Sequence, residues 1–488
     1  MLKLFLSTAM AFFFGFLFTA NYYYAIVILA LGALALLSFS KKNYFLVLLP
    51  FIISSSFFGF LPRPFAIRGL FQQDDIALLC LLLGAIFLYV FSQQQDDRSG
   101  IVFPATPFIQ KNKFLVMFFL AFLIFVLFFS WIKYGQIIQS FKVFRGIFRY
   151  LSILPFMYIL FRIRHKNIEK LINCIEVITI ILSVCYILDF GFGIKIFNIQ
   201  SHIETSFYGV DITRNFLARP YFLYFVLLRL ILRGKYKKYH IIGIFSIVLV
   251  FFLSYTRNRI FSLILFSTVA MIICNRKYTK NILSLVKTSV MTSVSILILG
   301  GVIYTVFNTQ LGYLSRRFDK GFSASSISED SNLLLRKNII LSRAKKVLAV
   351  NPITGLGYLH PETGGGFYPG LFVRKSDDYG SALVGDQSWG NLIVMIGFGG
   401  SFLFLLMLFF PIIMLIRKKC FLKQNITLIA VFLALLDMVL LNAFFSNVFL
   451  KEVLKISFYY ALIIYYANSY LLGSNNRSNT YLLIRNEE

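Results

Sequence analysis

A chain of 488 residues with 58% hydrophobic residues, 58 phenylalanines and only 14% charged residues is far from the roughly 25% charged composition of water-soluble domains. Its mean hydropathy of +0.78 and its successive apolar runs match the roughly 20 residues that a bilayer-crossing helix needs, so the class is a polytopic α-helical membrane protein. The net charge of +28 does not point to nucleic acid, because cytoplasmic loops of such proteins collect Lys and Arg and anionic headgroups accept them.

In chain order, the pattern predicts an all-α transmembrane bundle of about fourteen spans, near 3–20, 21–40, 43–61, 75–95, 114–134, 147–163, 171–190, 217–233, 240–256, 258–275, 286–307, 390–416, 425–446 and 453–472. Twelve or thirteen are the alternatives, since 1–40 can be divided differently. Met1 to Ala20 has no clear small-x-small cleavage site and reads as an uncleaved first helix. With the N-terminus inside, six successive cytoplasmic turns are basic. They carry Lys41 and Lys42; Arg98, Lys111 and Lys113; Arg162, Arg164, Lys166 and Lys170; Arg233, Lys235, Lys237 and Lys238; Arg276, Lys277 and Lys280; and Arg417, Lys418, Lys419 and Lys423. The positive-inside rule then puts both termini in the cytoplasm.

That orientation leaves one long polar block, 308–389, on the outer face. It holds ten Lys/Arg, seven Asp/Glu and ten Gly, and a connection this long is usually functional. The domain organisation is therefore N-terminal helices over 1–213, helices with outer-face arginines over 214–307, the large extracytoplasmic loop 308–389, C-terminal helices over 390–472, and a cytoplasmic tail at 473–488. The five cysteines, Cys80, Cys174, Cys185, Cys274 and Cys420, all lie outside the loop, so no disulfide frames it. No Cys/His spacing suggests a metal site.

Within the loop, Ser331 to Val350 predicts an amphipathic helix, capped by Ser328 or Asp330 and ended by Asn351-Pro352. Arg336 and Arg343 are seven residues apart and share a face. They suit a phosphate through the planar guanidinium fork, and a basic helix resting on the membrane surface is the alternative. Gly355 and Gly357 imply a tight turn whose N–H groups can hold an anion. Asp386, beside the next span, can act as a base or orient a hydroxyl, or simply cap the helix. His360 is the loop's one histidine. Further arginines stand at outer span ends: Arg145 and Arg149 before span 6, Arg214 and Arg219 before span 8, and Arg257 and Arg259 between spans 9 and 10. Each runs against the topological bias, although any one can snorkel to headgroups. Glu176, Asp189 and Asp437 lie inside spans, as helix partners or cavity linings, with the structural role favoured for Glu176 and Asp437.

These motifs, in this order, resemble the O-antigen polymerase and O-antigen ligase superfamily. The matching stretches are Arg214…Pro220, Leu253-Ser254-Tyr255-Thr256-Arg257, Arg336 followed by Asn351-Pro352 and Gly355-x-Gly357, and Asp386 to Gly400 with Gly397, Gly399 and Gly400. Ligases typically carry a histidine where this chain has Asp386, which favours the polymerases. The resemblance implies an inverting, metal-independent glycosyl transfer without cofactor, on the outer face of a bacterial inner membrane. Undecaprenyl-diphosphate-linked oligosaccharide would be the partner, with membrane lipids around it and a chain-length regulator as a further candidate. Arg257, Arg336 and Arg214 would contact the diphosphate, supported by Arg219, Arg259, Arg343, Arg145 and Arg149, and Asp386 or His360 would handle the acceptor hydroxyl. Transfer of finished glycan to a lipid core, or a flippase for lipid-linked saccharide, are the alternative functions.

Overall fold

A computed structural model describes residues 45–53, 73–93, 106–163, 165–192, 202–207, 210–215, 222–233, 238–253, 257–278, 331–359, 388–417, 425–443 and 448–475. The expected spans at 3–20, 21–40 and 286–307, and most of the polar block, lie outside these residues. The helices are α1 (Phe45–Ile53), α2 (Gln73–Gln93), α3 (Pro107–Tyr134), α4 (Ile137–Phe148), α5 (Ile153–Arg162), α6 (His165–Phe192), α7 (Leu223–Arg233), α8 (Lys238–Leu253), α9 (Arg257–Tyr278), α10 (Ser331–Val350), α11 (Ser388–Arg417), α12 (Ile426–Leu436), α13 (Val448–Lys451) and α14 (Val453–Asn475). One antiparallel hairpin, β1 (His202–Phe207) with β2 (Val210–Asn215), departs from the all-helical expectation and pairs His202 with Asn215 through Phe207 with Val210.

Among the described residues, four helical stretches are long and apolar enough to cross a membrane: Pro107–Tyr134, Ile137–Arg162, His165–Leu188 and Ser388–Ile416. Their ends follow local chemistry. At α3, Thr106 accepts a hydrogen bond from Ile109 N, Pro107 occupies the first turn, and Gly135 closes the helix at φ 66°. The sequence predicts a span at 147–163, but the helical run begins at Ile137 and continues through a 3₁₀ turn at Arg149–Ser152. That turn precedes Pro155, whose missing N–H leaves the carbonyl four residues earlier without a helical donor.

The centre of the bundle is α14. It is buried at nearly every position from Val453 to Asn468 and packs against α3, α5, α11, α12 and the 3₁₀ turn. Burial on all sides suits a helix with no polar stripe. Its tyrosine hydroxyls find partners, as buried ones must: Tyr460 with Asn112 at 3.3 Å and Tyr466 with Glu169 at 2.8 Å.

Long-range contacts sort the bundle into two ends. Tyr134, the 351–359 segment and the starts of α4 and α11 share one end, through Tyr134 Oη donating to Leu356 O at 2.6 Å and Leu356 N to Val394 O at 2.8 Å. Lys111, the starts of α6 and α12 and the end of α7 share the other. There Arg229 bonds Glu176, Glu169 and Thr427, and Arg233 bonds Glu176 at 2.9 Å and reaches His240 at 2.7 Å. Glu176 is thus a helix-to-helix partner. Arg162, Lys166, Lys170, Arg233 and Lys238 all lie in the terminal parts of helices at this second end.

Candidate functional site

The Tyr134 end holds the described part of the polar block. There α11 is broken at Gly397, with φ 70° and ψ −174°. The break separates Val394 O from Phe398 N, which an unbroken α-helix would join as residue i to i+4. The segment after α10 repairs both halves. Leu356 N donates to Val394 O at 2.8 Å, and Phe398 N donates to Pro352 O at 2.8 Å. The two glycine motifs read from the sequence are therefore one structure, a loop inserted into a helix break. A Cβ on Gly355, itself at φ +72°, would stand 2.5 Å from Gly397 N and 2.6 Å from Val394 O, so neither chain carries a side chain where they cross.

The same loop is fixed to α3. Tyr358 N donates to Ser130 Oγ at 2.8 Å, and Tyr358 Oη donates to Leu123 O at 3.2 Å. Thr354 N is taken by Asn351 Oδ1 at 3.2 Å and Gly355 N by Asn351 O at 3.1 Å. The N–H groups of Thr354, Gly355, Leu356, Tyr358 and Leu359 thus all have protein acceptors. Most of the amides that the sequence offers to an anion here, that of Gly355 included, are instead used within the protein, docking α10 on α11. A small apolar cluster of Tyr134, Val347, Leu356, Leu359 and Val394 closes the junction.

What the docking positions is Arg343. It lies one turn before Val347 on the face of α10 turned to α11, and it is 2% exposed. Its Nη1 donates to Asn391 Oδ1 at 2.9 Å in the first turn of α11. Asn391 is neutral and accepts one of five guanidinium N–H groups. Desolvation pushes the Arg343 pKa down from its ordinary value to about 10, so the group is still a cation at neutral pH. Among the described residues no carboxylate pairs with it.

The contrast is with the other buried arginines. Arg149, 4% exposed, bonds Asp75 at 2.8 Å and Asp74 at 2.9 Å, and Arg145 lies 3.4 Å from Asp75. The sequence places Arg145 and Arg149 just before span 6; the structure places them within the helical run from Ile137, facing two carboxylates at the start of α2. In the same way Arg229 pairs with Glu176 and Glu169, and Arg233 with Glu176.

Of the remaining candidates, Arg214 is on β2, Arg257 and Arg259 are in the first turn of α9, and Arg336 is in α10. Arg219, His360 and Asp386 lie outside the described residues. Ser388 and Trp389, which follow Asp386 in sequence, are held in place: Ser388 Oγ accepts from Phe449 N at 3.1 Å and Trp389 Nε1 donates to Val439 O at 3.2 Å. That carbonyl belongs to the π-helical turn Asp437–Asn442, where Asn442 Nδ2 donates to Asp437 Oδ2 at 2.6 Å. No group of three metal-ligating side chains occurs among the described residues.

Sequence reasoning does not single out Asn391, Asp74, Asp75, Ser130 or Tyr134. The Asp74–Asp75 pair was readable, since two adjacent carboxylates opening an apolar span need cations, and Arg145 and Arg149 are spaced one helical turn apart. Asn391, Ser130 and Tyr134 carried no such signal. No family model matches the chain, and no curated protein matches it by sequence.

Proposed function

We propose that this chain is a membrane glycosyltransferase that joins undecaprenyl-diphosphate-linked oligosaccharide repeat units on the outer face of a bacterial inner membrane, with Arg343 binding the diphosphate. The observation that carries the reading is a buried guanidinium whose described partner is a neutral amide, in a bundle whose other buried arginines face carboxylates. A buried cation without a counter-ion is expensive, and an anionic ligand removes the penalty. Placement on a docked helix preorganises it, and the departing diphosphate gains negative charge in the transition state. One well-aimed donor there is worth roughly 3–4 kcal/mol.

The orientation is supported by the basic turns at the Lys111 end, which the positive-inside rule assigns to the cytoplasm, leaving Arg343 at the outer end. In this reading Arg257, Arg336 and Arg214 are the other diphosphate contacts, and Asp386 or His360 takes the acceptor proton.

Purified protein given only lipid-linked repeat units is expected to produce a ladder of longer glycans. Arg343→Ala at normal membrane levels is expected to lose that ladder by roughly 100-fold or more, and Arg343→Lys to recover a fraction, because a point charge lacks the planar fork. Ladders of wild-type length from Arg343→Ala would overturn the assignment of Arg343. Product only on adding a separate lipid-core acceptor would mean ligase, and movement of the lipid-linked saccharide without bond formation would mean transporter.

A further inference from the structure

A second feature lies on the opposite half of the bundle. A groove of about 440 Å³ runs between α3 and α11, lined by Gln110, Lys111, Phe114, Leu115, Leu406 and Phe410. The volume falls in the roughly 300–1,000 Å³ range of small-molecule sites. Leu406 and Phe410 follow Asn391 by 15 and 19 residues, or about 22–28 Å at 1.5 Å per residue. The groove is therefore separate from Arg343 and stands on its own, whatever reaction the other end performs.

Its chemistry is two-part. Phe114 is 66% exposed, and with Leu115, Leu406 and Phe410 it makes an apolar channel along the membrane-facing side of two spans. Lys111 sits at its mouth, within the first turns of α3, one turn before Phe114 and Leu115 on the same face. Lys111 and Lys113 are both exposed. Neither α3 nor α11 contains a single Asp or Glu, and α11 runs into Arg417, Lys418 and Lys419. The site thus has an apolar trough and, at its mouth, an exposed ammonium beside which no carboxylate stands among the described residues.

We propose that this groove binds an anionic phospholipid, one acyl chain lying between α3 and α11 and the phosphate on Lys111. A zwitterionic lipid brings its own cation and does not answer the excess charge, whereas a net-negative headgroup does.

The test uses the full chain purified in detergent, with phosphatidylglycerol or phosphatidylcholine of identical acyl chains, read by native mass spectrometry. Phosphatidylglycerol is expected to be retained roughly fivefold more than phosphatidylcholine, the preference one lysine near a surface provides. Lys111→Gln, at an exposed position, is expected to bring the two lipids level, and Leu406→Trp, which fills the channel, to reduce both. Equal retention of the two lipids by the unaltered chain, or unchanged phosphatidylglycerol preference in Lys111→Gln, would overturn the proposal. So would full retention by Leu406→Trp.

Discussion

Arg343 holds a positive charge in a space that excludes most water, and its partner among the described residues is one amide oxygen. Burial lowers its pKa to about 10, below the ordinary arginine value it has when unfolded, so burial of the charge destabilises the folded protein at every pH below about 10. The penalty fades only as pH climbs above that, when the folded form releases its proton first. Arg343→Met keeps the stem and removes the charge. It is expected to stabilise the ligand-free protein by roughly 1–3 kcal/mol, read as a higher thermal midpoint, and, in the proposed function, to abolish glycan extension. The gain should be the same at pH 6 and pH 8, because the arginine stays protonated in both states across that interval. A variant that melts below wild type would mean that the charge is already compensated within the protein.

At the scale of elements, the decisive contact is the loop threaded into α11. In a membrane-embedded helix an unpaired carbonyl or N–H costs several kcal/mol, and the loop supplies partners for both groups that Gly397 frees. Gly397→Ala places a Cβ 2.7 Å from Ile353 C at φ +70°. Gly135 has nearly the same φ, +66°, but no atom within 4 Å of its added Cβ. Gly135→Ala should therefore show only the conformational share, about 1–2 kcal/mol. Gly397→Ala should show that plus the displacement of the loop, and with it the loss of Arg343 alignment and of the proposed glycan extension. Equal melting of the two variants would refute the docking argument. The glycines were legible in the sequence as turns, because few other residues hold positive φ. That the two turns answer each other was not, since the hydrogen bonds that join them span about forty residues of chain and use backbone atoms, which every residue has.

For the whole molecule, the architecture is a central α14 with two chemically different ends. Helix packing in lipid gains little from the hydrophobic effect, so buried polar links such as Tyr460 to Asn112 and Arg229 to Glu176 and Thr427 help to fix which helices are neighbours. The two-ended arrangement predicts opposite accessibility. With the Arg343 end outward, as the proposed function requires, Ile353→Cys, at a position 64% exposed, should react in intact cells with a membrane-impermeant maleimide, and Lys113→Cys only after permeabilisation. Labelling of both from one side would break the arrangement.

The membrane class, the helical runs and the alternation of basic turns were set by the sequence itself, because a bilayer demands long apolar segments and a charge bias that local composition records directly. The charge partners were decided only by the fold. Arg149 meets Asp74 and Asp75 and so is neutralised, while Arg343 meets Asn391 and no carboxylate among the described residues. In the sequence both are an arginine on a helical face near the boundary of an apolar run. Coulomb energy depends on distance and burial, and those exist only once helices far apart in the chain have packed.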